Sequence, residues 1–475
     1  MRALGVATVM VLVLAACPTE RGTASAERRS SGSGAGSNGS GGTSSTSGGG
    51  STSSGSGGGS TSSSGGPVPP GSARVRGTVW APGNAPGMVP LNEEIPVSGA
   101  VVYATTSRPD AIPQEVYCEV CTPLPPNWVV ADAKGHFSLS VAPGTFWLVI
   151  QKGQFRLEQQ LILEEQEDRW LDSALTVLPS RHSPTEGMWI PRIAVAEGLW
   201  DNLEDILGKM QLGGVDASGY FTGTNGRFDL YINGSGDHAD QSIADLPTLM
   251  RNLDVMRQYH IIFIPCSNGS NTELFNSTQM RENIRQYVAL GGKLYVTDWS
   301  SEWMDVVFPE FIRFQSDHDT PGGATPSLYS EGDGTPGYDS QHGRAVDERL
   351  RAWLHGQYAP DQDGWGAVSP INASDFYVEG NWNHIQSLES VLLGYDPNNN
   401  PVYEQAATWV EGDWNDGGGM HPLTVTFEPN GCGRVLYSTY HTTEGHHAGL
   451  VPQERVLLFL IMELGECRRE RPPID

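Results

Sequence analysis

Basic side chains are scarce in this chain of 475 residues: 29 lysines and arginines face 55 aspartates and glutamates, for a formal charge of −26. A phosphate backbone or an anionic lipid surface is held by a basic patch, so this balance argues against nucleic acid as a partner of the folded part. Long apolar runs are missing as well. Beyond the amino terminus no stretch reaches the roughly 20 residues that a membrane-spanning helix needs. Of the six cysteines only one pair stands in a CxxC, "CEVC" at 118–121, and with no second CxxC a four-cysteine zinc site lacks its ligands. No acidic loop has the twelve-residue EF-hand spacing. From Ser30 to Ala73 charge is absent altogether. That stretch is Ser, Gly and Thr with a little Pro; it cannot bury a core and is expected to act as a flexible tether reaching roughly 35 Å.

What is present begins with "MRALGVATVMVLVLAAC". Arg2, an apolar run from Ala3 to Ala16 and small residues before Cys17 form the layout of a secretory signal, too short to span a bilayer comfortably. "LAAC" resembles a bacterial lipobox. The resemblance implies cleavage before Cys17 and acylation of that cysteine, with residues 1–16 as signal and 17–73 as tether. The expected partner is then a lipid bilayer. The expected place is the cell envelope, at the outer membrane.

Residues 74–178 alternate strand and turn signals without a helix: "VRGTV", "PVSGAVVYATT", "GHFSLSVAPGTFWLVIQ" and "QQLILE", with turns at Asp132–Gly135 and Ala142–Gly144. This pattern resembles the carboxypeptidase regulatory-like (prealbumin-like) β-sandwich. The resemblance implies an accessory, interaction-type module with no catalytic centre of its own. Within it, Cys118 and Cys121 are expected to form a local disulfide stiffening a Pro-rich loop, in preference to a metal or redox role.

From Pro191 strands alternate with helices. "LWDNLEDILGKM" places Leu203, Ile206, Leu207 and Met210 at helical spacing, and "YHIIFIPC", "KLYVTD" and "RVLYSTYHT" read as buried strands. The expectation for residues 188–468 is an α/β doubly wound, mostly parallel sheet of flavodoxin-like type. The strand at Tyr259–Pro265, the "Y...GG.L...D" pattern from Tyr287 to Asp298, and the run from Gly431 through Tyr437 to His441 resemble the class I glutamine amidotransferase-like fold, in its ThuA-like branch.

Ligands of such sheets bind beyond the carboxyl ends of the strands, where Cys266, Asp298 and His441 fall. The amidotransferase resemblance implies a Cys nucleophile with His441 and Glu444 behind it, yet the residues depart from that pattern. Ile264 and Asn268 stand where a sharp elbow needs glycine, Pro265 precedes the cysteine, and the His-to-Glu spacing is one residue too long. Cys266 is therefore expected to be a free, small buried residue rather than a nucleophile. With Cys17 acylated, Cys432 at the start of the last strand and Cys467 at the end of the returning helix are expected to pair. "HTTEGHH", with His441, Glu444, His446 and His447, reads as a solvated loop rather than a metal site. No cofactor is expected, apart from one structural calcium that acidic loops such as Asp361 with Asp363, Asp317 with Asp319, or Asp413 with Asp416 leave open. Trp299, Trp303, Trp365, Trp382, Trp409 and Trp414 serve either core packing or a carbohydrate or protein ligand. The function expected is a non-catalytic, lipid-anchored surface protein with binding or scaffold roles. The alternative is a secreted hydrolase using Cys266 with His441, or carbohydrate chemistry on Asp298.

Overall fold

The computed structural model describes residues 66–118, 124–198, 200–234, 236–267, 269–314, 340–360, 366–381, 383–413, 419–429, 432–443 and 445–464. The signal and tether residues 17–65 lie outside them, as do Cys121, Cys467, Glu444, Asn268, Asp317, Asp319, Asp361, Asp363, Asp416, Trp365, Trp382 and Trp414; the expected tether runs too far, since Ala73 is buried as the first residue of the strand Ala73–Thr78.

The amino-terminal strands form a three-stranded sheet, in the order His136–Val141, Ala73–Thr78, Asp168–Trp170, and a five-stranded sheet, in the order Trp128–Val130, Val101–Thr105, Gly144–Lys152, Phe155–Leu163, Met188–Trp189. Their period-two pattern turns Val75, Phe137, Leu139, Leu148 and Ile150 into one buried cluster. The Asp132–Gly135 turn closes through Gly135 N–H donating to the Asp132 carbonyl at 2.9 Å, with Gly135 at φ 74°. The five-stranded sheet runs past Leu178, since Leu157 pairs with Met188 and Arg156 with Trp189.

A ten-stranded sheet follows, in the order Ala244–Asp245, Asp229–Ile232, Ile193–Glu197, Ile261–Ile264, Lys293–Thr297, Arg434–Ser438, Met420–Phe427, Ala407–Asp413, Ser340–Ala345, Phe376–Glu379. Its first six strands are parallel and the rest join antiparallel. The sheet is thus mixed. The antiparallel half arises because the connection between Ala407–Asp413 and Met420–Phe427 spans only six residues, too few for the crossover that a parallel neighbour needs.

Both faces of the parallel half are covered. Ile193, Val195, Ile261, Phe263, Tyr295 and Leu436 enter one apolar cluster, while their neighbours Ala194, Ala196, Ile262, Ile264, Leu294 and Val435 enter another. The helix Thr278–Ala289 covers the second face with Met280, Ile284, Tyr287 and Val288. The first face packs against the helix Pro452–Leu464 and is continuous with the core of the amino-terminal sheets. Trp353, 1% exposed, donates its Nε1–H to the Pro96 carbonyl at 2.7 Å, and Lys152 meets Glu463 at 2.5 Å. The helix Pro452–Leu464 is buried from Gln453 onward, so its charged residues need internal partners. Arg455 donates to Gln357 and to the Glu93 carbonyl, and Glu463 also meets Arg349 at 3.1 Å.

The cysteine pairing differs from the sequence expectation. Cys118 is bonded to Cys432, with Cα atoms 5.3 Å apart, so neither Cys118–Cys121 nor Cys432–Cys467 forms. Close backbone approach permits this. A Cβ on Gly291, at φ 108°, would stand 2.0 Å from the Tyr117 carbonyl oxygen, so only glycine lets the Cys118 segment rest on the sheet's edge beside Cys432. Cys266 is free and buried.

Candidate functional site

Three adjacent parallel strands end in candidate residues. Ile261–Ile264 leads to Cys266, Lys293–Thr297 to Asp298, and Arg434–Ser438 to His441, and the pairings Ile264 with Val296 and Thr297 with Ser438 bring those ends level. Cys266 and Asp298 are 0% exposed and His441 2%. The Cys266 thiol donates to Asp298 Oδ2 at 3.2 Å, and His441 Nε2 lies 3.8 Å from that same oxygen. His441 Nδ1 meets the Thr442 carbonyl at 2.6 Å; a carbonyl only accepts, so this nitrogen carries a proton. The three side chains come within 4.8 Å of one another, with the carboxylate holding the thiol.

The backbone around them is held tightly. Asp298 itself sits at φ 40°, in the left-handed region that a non-glycine residue enters only when its surroundings enforce it. Its carbonyl accepts from Asn383 Nδ2 at 2.5 Å and Tyr437 OH at 3.0 Å. Gly380, at φ 64°, lies so near His441 that a Cβ would stand 2.3 Å from the ring. Asp201 ties the strand ends together. Its Oδ1 accepts from the Thr442 amide and hydroxyl, at 3.2 and 2.7 Å, and its Oδ2 from the Thr297 hydroxyl at 2.6 Å and the Cys266 amide at 3.5 Å.

Electrostatics keep the thiol neutral. Burial pushes Cys266 well above its ordinary pKa, and the charge of Asp298 pushes it further. A nucleophilic cysteine needs the opposite: an imidazole or a helix amino terminus against the sulfur, drawing the proton away. Here a carboxylate stands between thiol and imidazole, and the next helix, Asn271–Asn276, starts five residues on. Two clefts of about 530 Å³ are lined by other residues, among them Arg181, Arg192 and Tyr259 in one and Lys209, Pro360 and Arg455 in the other.

No family model and no curated protein matches the chain. Among solved structures it is similar to ThuA-like proteins. One from Bacteroides uniformis is 9% identical, with 57% of this chain and 88% of that chain covered at a TM-score of 0.29. One from Parabacteroides merdae is 13% identical, covering 59% of this chain and 92% of that chain at 0.26. The cytoplasmic protein STM3548 from Salmonella typhimurium is 12% identical, covering 58% and 98% at 0.30.

The structure thus assembles Cys266, Asp298 and His441, while Glu444 lies outside the described residues. The solvated-loop expectation for the histidines is overturned. His447 is 2% exposed, bridging the Gly449 carbonyl and Glu454 at 2.8 and 3.0 Å, and His446 meets Asp205 at 2.9 Å. His447 is buried because the helix Pro452–Leu464 closes over it through Glu454, while His446 stays half-buried against Asp205. Trp303 and Trp409 are core residues, and Trp299 is half-buried against Trp200 in an edge-on contact at 5.3 Å. Asp201 was legible only as one acidic residue at the start of an amphipathic segment, with no sequence sign of its burial.

Proposed function

We propose that this chain is an exported, lipid-anchored envelope protein that binds or scaffolds a partner without acyl-transfer chemistry at Cys266. Its amino-terminal sheets would serve as the prealbumin-like interaction module, and its ten-stranded sheet as an amidotransferase-like unit kept for its shape. The observation that carries the reading is the Cys266 thiol donating to the buried Asp298 carboxylate at 3.2 Å. That bond, with burial, favours the unreactive thiol over the thiolate. The half-buried Trp200 and Trp299 beside this edge fit a carbohydrate ring or an apolar protein side chain as ligand.

Two measurements test it. Cys17→Ala should move the protein from the membrane fraction to the soluble one or stall its processing; normal cleavage with unaltered membrane fractionation would count against the anchor. On the native protein, an iodoacetamide probe should leave Cys266 unmodified while denaturant exposes it. Rapid native labelling that a substrate protects against, with an activity lost in Cys266→Ala, would establish the hydrolase instead.

A further inference from the structure

A second cluster at the same edge of the sheet points to a bound ion. We infer that Glu197, Glu204 and His238 form a site for one divalent cation of the zinc class. They come from three separate elements: the last position of the strand Ile193–Glu197, the helix Leu203–Leu207, and the connection after Asp229–Ile232. They are 1%, 3% and 3% exposed, and one ligand atom of each lies within 4.8 Å of the others.

The imidazole is already set for coordination. His238 Nε2 is 2.7 Å from the Phe221 carbonyl oxygen, which can only accept, so Nε2 carries a hydrogen and Nδ1 is the atom left to face the carboxylates. A histidine ligand whose other nitrogen donates to a backbone carbonyl is the usual supporting arrangement of metal sites. Nδ1 stands 2.9 Å from Glu197 Oε1, which also accepts from the His238 amide at 2.7 Å. An imidazole nitrogen and a carboxylate oxygen at that separation hold a cation or a proton between them. Tyr220 stacks on the His238 ring, 5.3 Å between centroids, and holds its plane.

The carboxylates show the same need. Glu197 Oε2 and Glu204 Oε2 are enclosed without a hydrogen-bond partner, and a buried carboxylate is retained when it is paired or coordinates a metal. A Cβ on Gly236 would stand 2.4 Å from Glu197 Oε2, so glycine leaves that oxygen uncovered. A divalent ion would cancel the two ligand charges. Two oxygens and one imidazole nitrogen suit zinc, which binds both at about 2.0–2.2 Å, better than calcium or magnesium, which prefer all-oxygen sets.

The competing arrangement is a proton shared by His238 and Glu197 beside a neutral Glu204, and it binds no metal. Calorimetric titration of chelator-stripped full-length protein with zinc sulfate separates them. One equivalent should bind and raise the melting temperature. Glu204→Gln keeps the shape of the protonated carboxyl and so should fold; it should lower zinc affinity at least tenfold and abolish the zinc-dependent rise, with no loss of melting temperature when zinc is absent. The assignment is overturned if the parent binds no zinc, or if Glu204→Gln and His238→Ala bind it as the parent does. It is equally overturned if Cys266→Ala removes the binding, which would put the ion at Cys266, Asp298 and His441.

Discussion

Replacing Cys432 with serine tests the long-range disulfide and the docking of the amino-terminal sheets on the ten-stranded one. The bond joins positions 314 residues apart. In the chain-entropy model a loop of that size removes about 19 cal/mol/K from the unfolded ensemble, or about 5.7 kcal/mol at 25 °C, slightly above the observed range of about 0–5 kcal/mol. The local alternative, Cys118–Cys121, closes four residues and contributes only about 2 kcal/mol in the same model. It would not involve Cys432 at all. Urea unfolding of Cys432→Ser should therefore show a loss of about 4–6 kcal/mol. Reductant should destabilise the parent similarly and leave the variant unchanged. Non-reducing peptide mapping should recover one linked pair holding Cys118 and Cys432. Mapping that returns Cys118–Cys121 or Cys432–Cys467, or a variant within about 1 kcal/mol of the parent, would refute the reasoning.

The remaining predictions concern the core, the thiol and the tight approach at His441. Trp353→Ala removes a side chain buried between the two sets of sheets, and should cost about 3–5 kcal/mol while turning one cooperative unfolding transition into two, as read by calorimetry. Cys266 titrates higher folded than its unfolded value of about 8.5, so the folded state holds its proton more tightly and the thiol's contribution is intact below that pH. Above it, stability should fall by about 1.4 kcal/mol per pH unit from this group, and pH-dependent urea midpoints should lose that slope in Cys266→Ala. Gly380→Ala forces a side chain at φ 64° against the His441 ring, and should cost at least about 1–3 kcal/mol by thermal unfolding, whereas an unchanged melting temperature would contradict the close contact.

Periodicity was enough to read the strands, because alternation and apolar runs are local: "YHIIFIPC", "KLYVTD" and "RVLYSTYHT" all carry strands of the parallel half. Neighbouring parallel strands end at one edge, so Cys266, Asp298 and His441 could be assigned to the same place from their positions after those strands. The misfit of Cys266 with a nucleophile's elbow was equally local, visible in Ile264 and Pro265. Burial and pairing over distance are another matter. Glu204 and Asp205 stand between the apolar positions of a short helix, yet both are buried, Asp205 accepting from the Phe221 amide and meeting His446. Whether His238 is a surface residue or an imidazole turned toward a carboxylate depends on a carbonyl 17 residues away in sequence. Cys118 finds Cys432, rather than its neighbour in CEVC, because Gly291 lets two backbones touch. Spacing along the chain carries the period of an element; charge neutralisation and contact are set by whatever the rest of the chain packs against it.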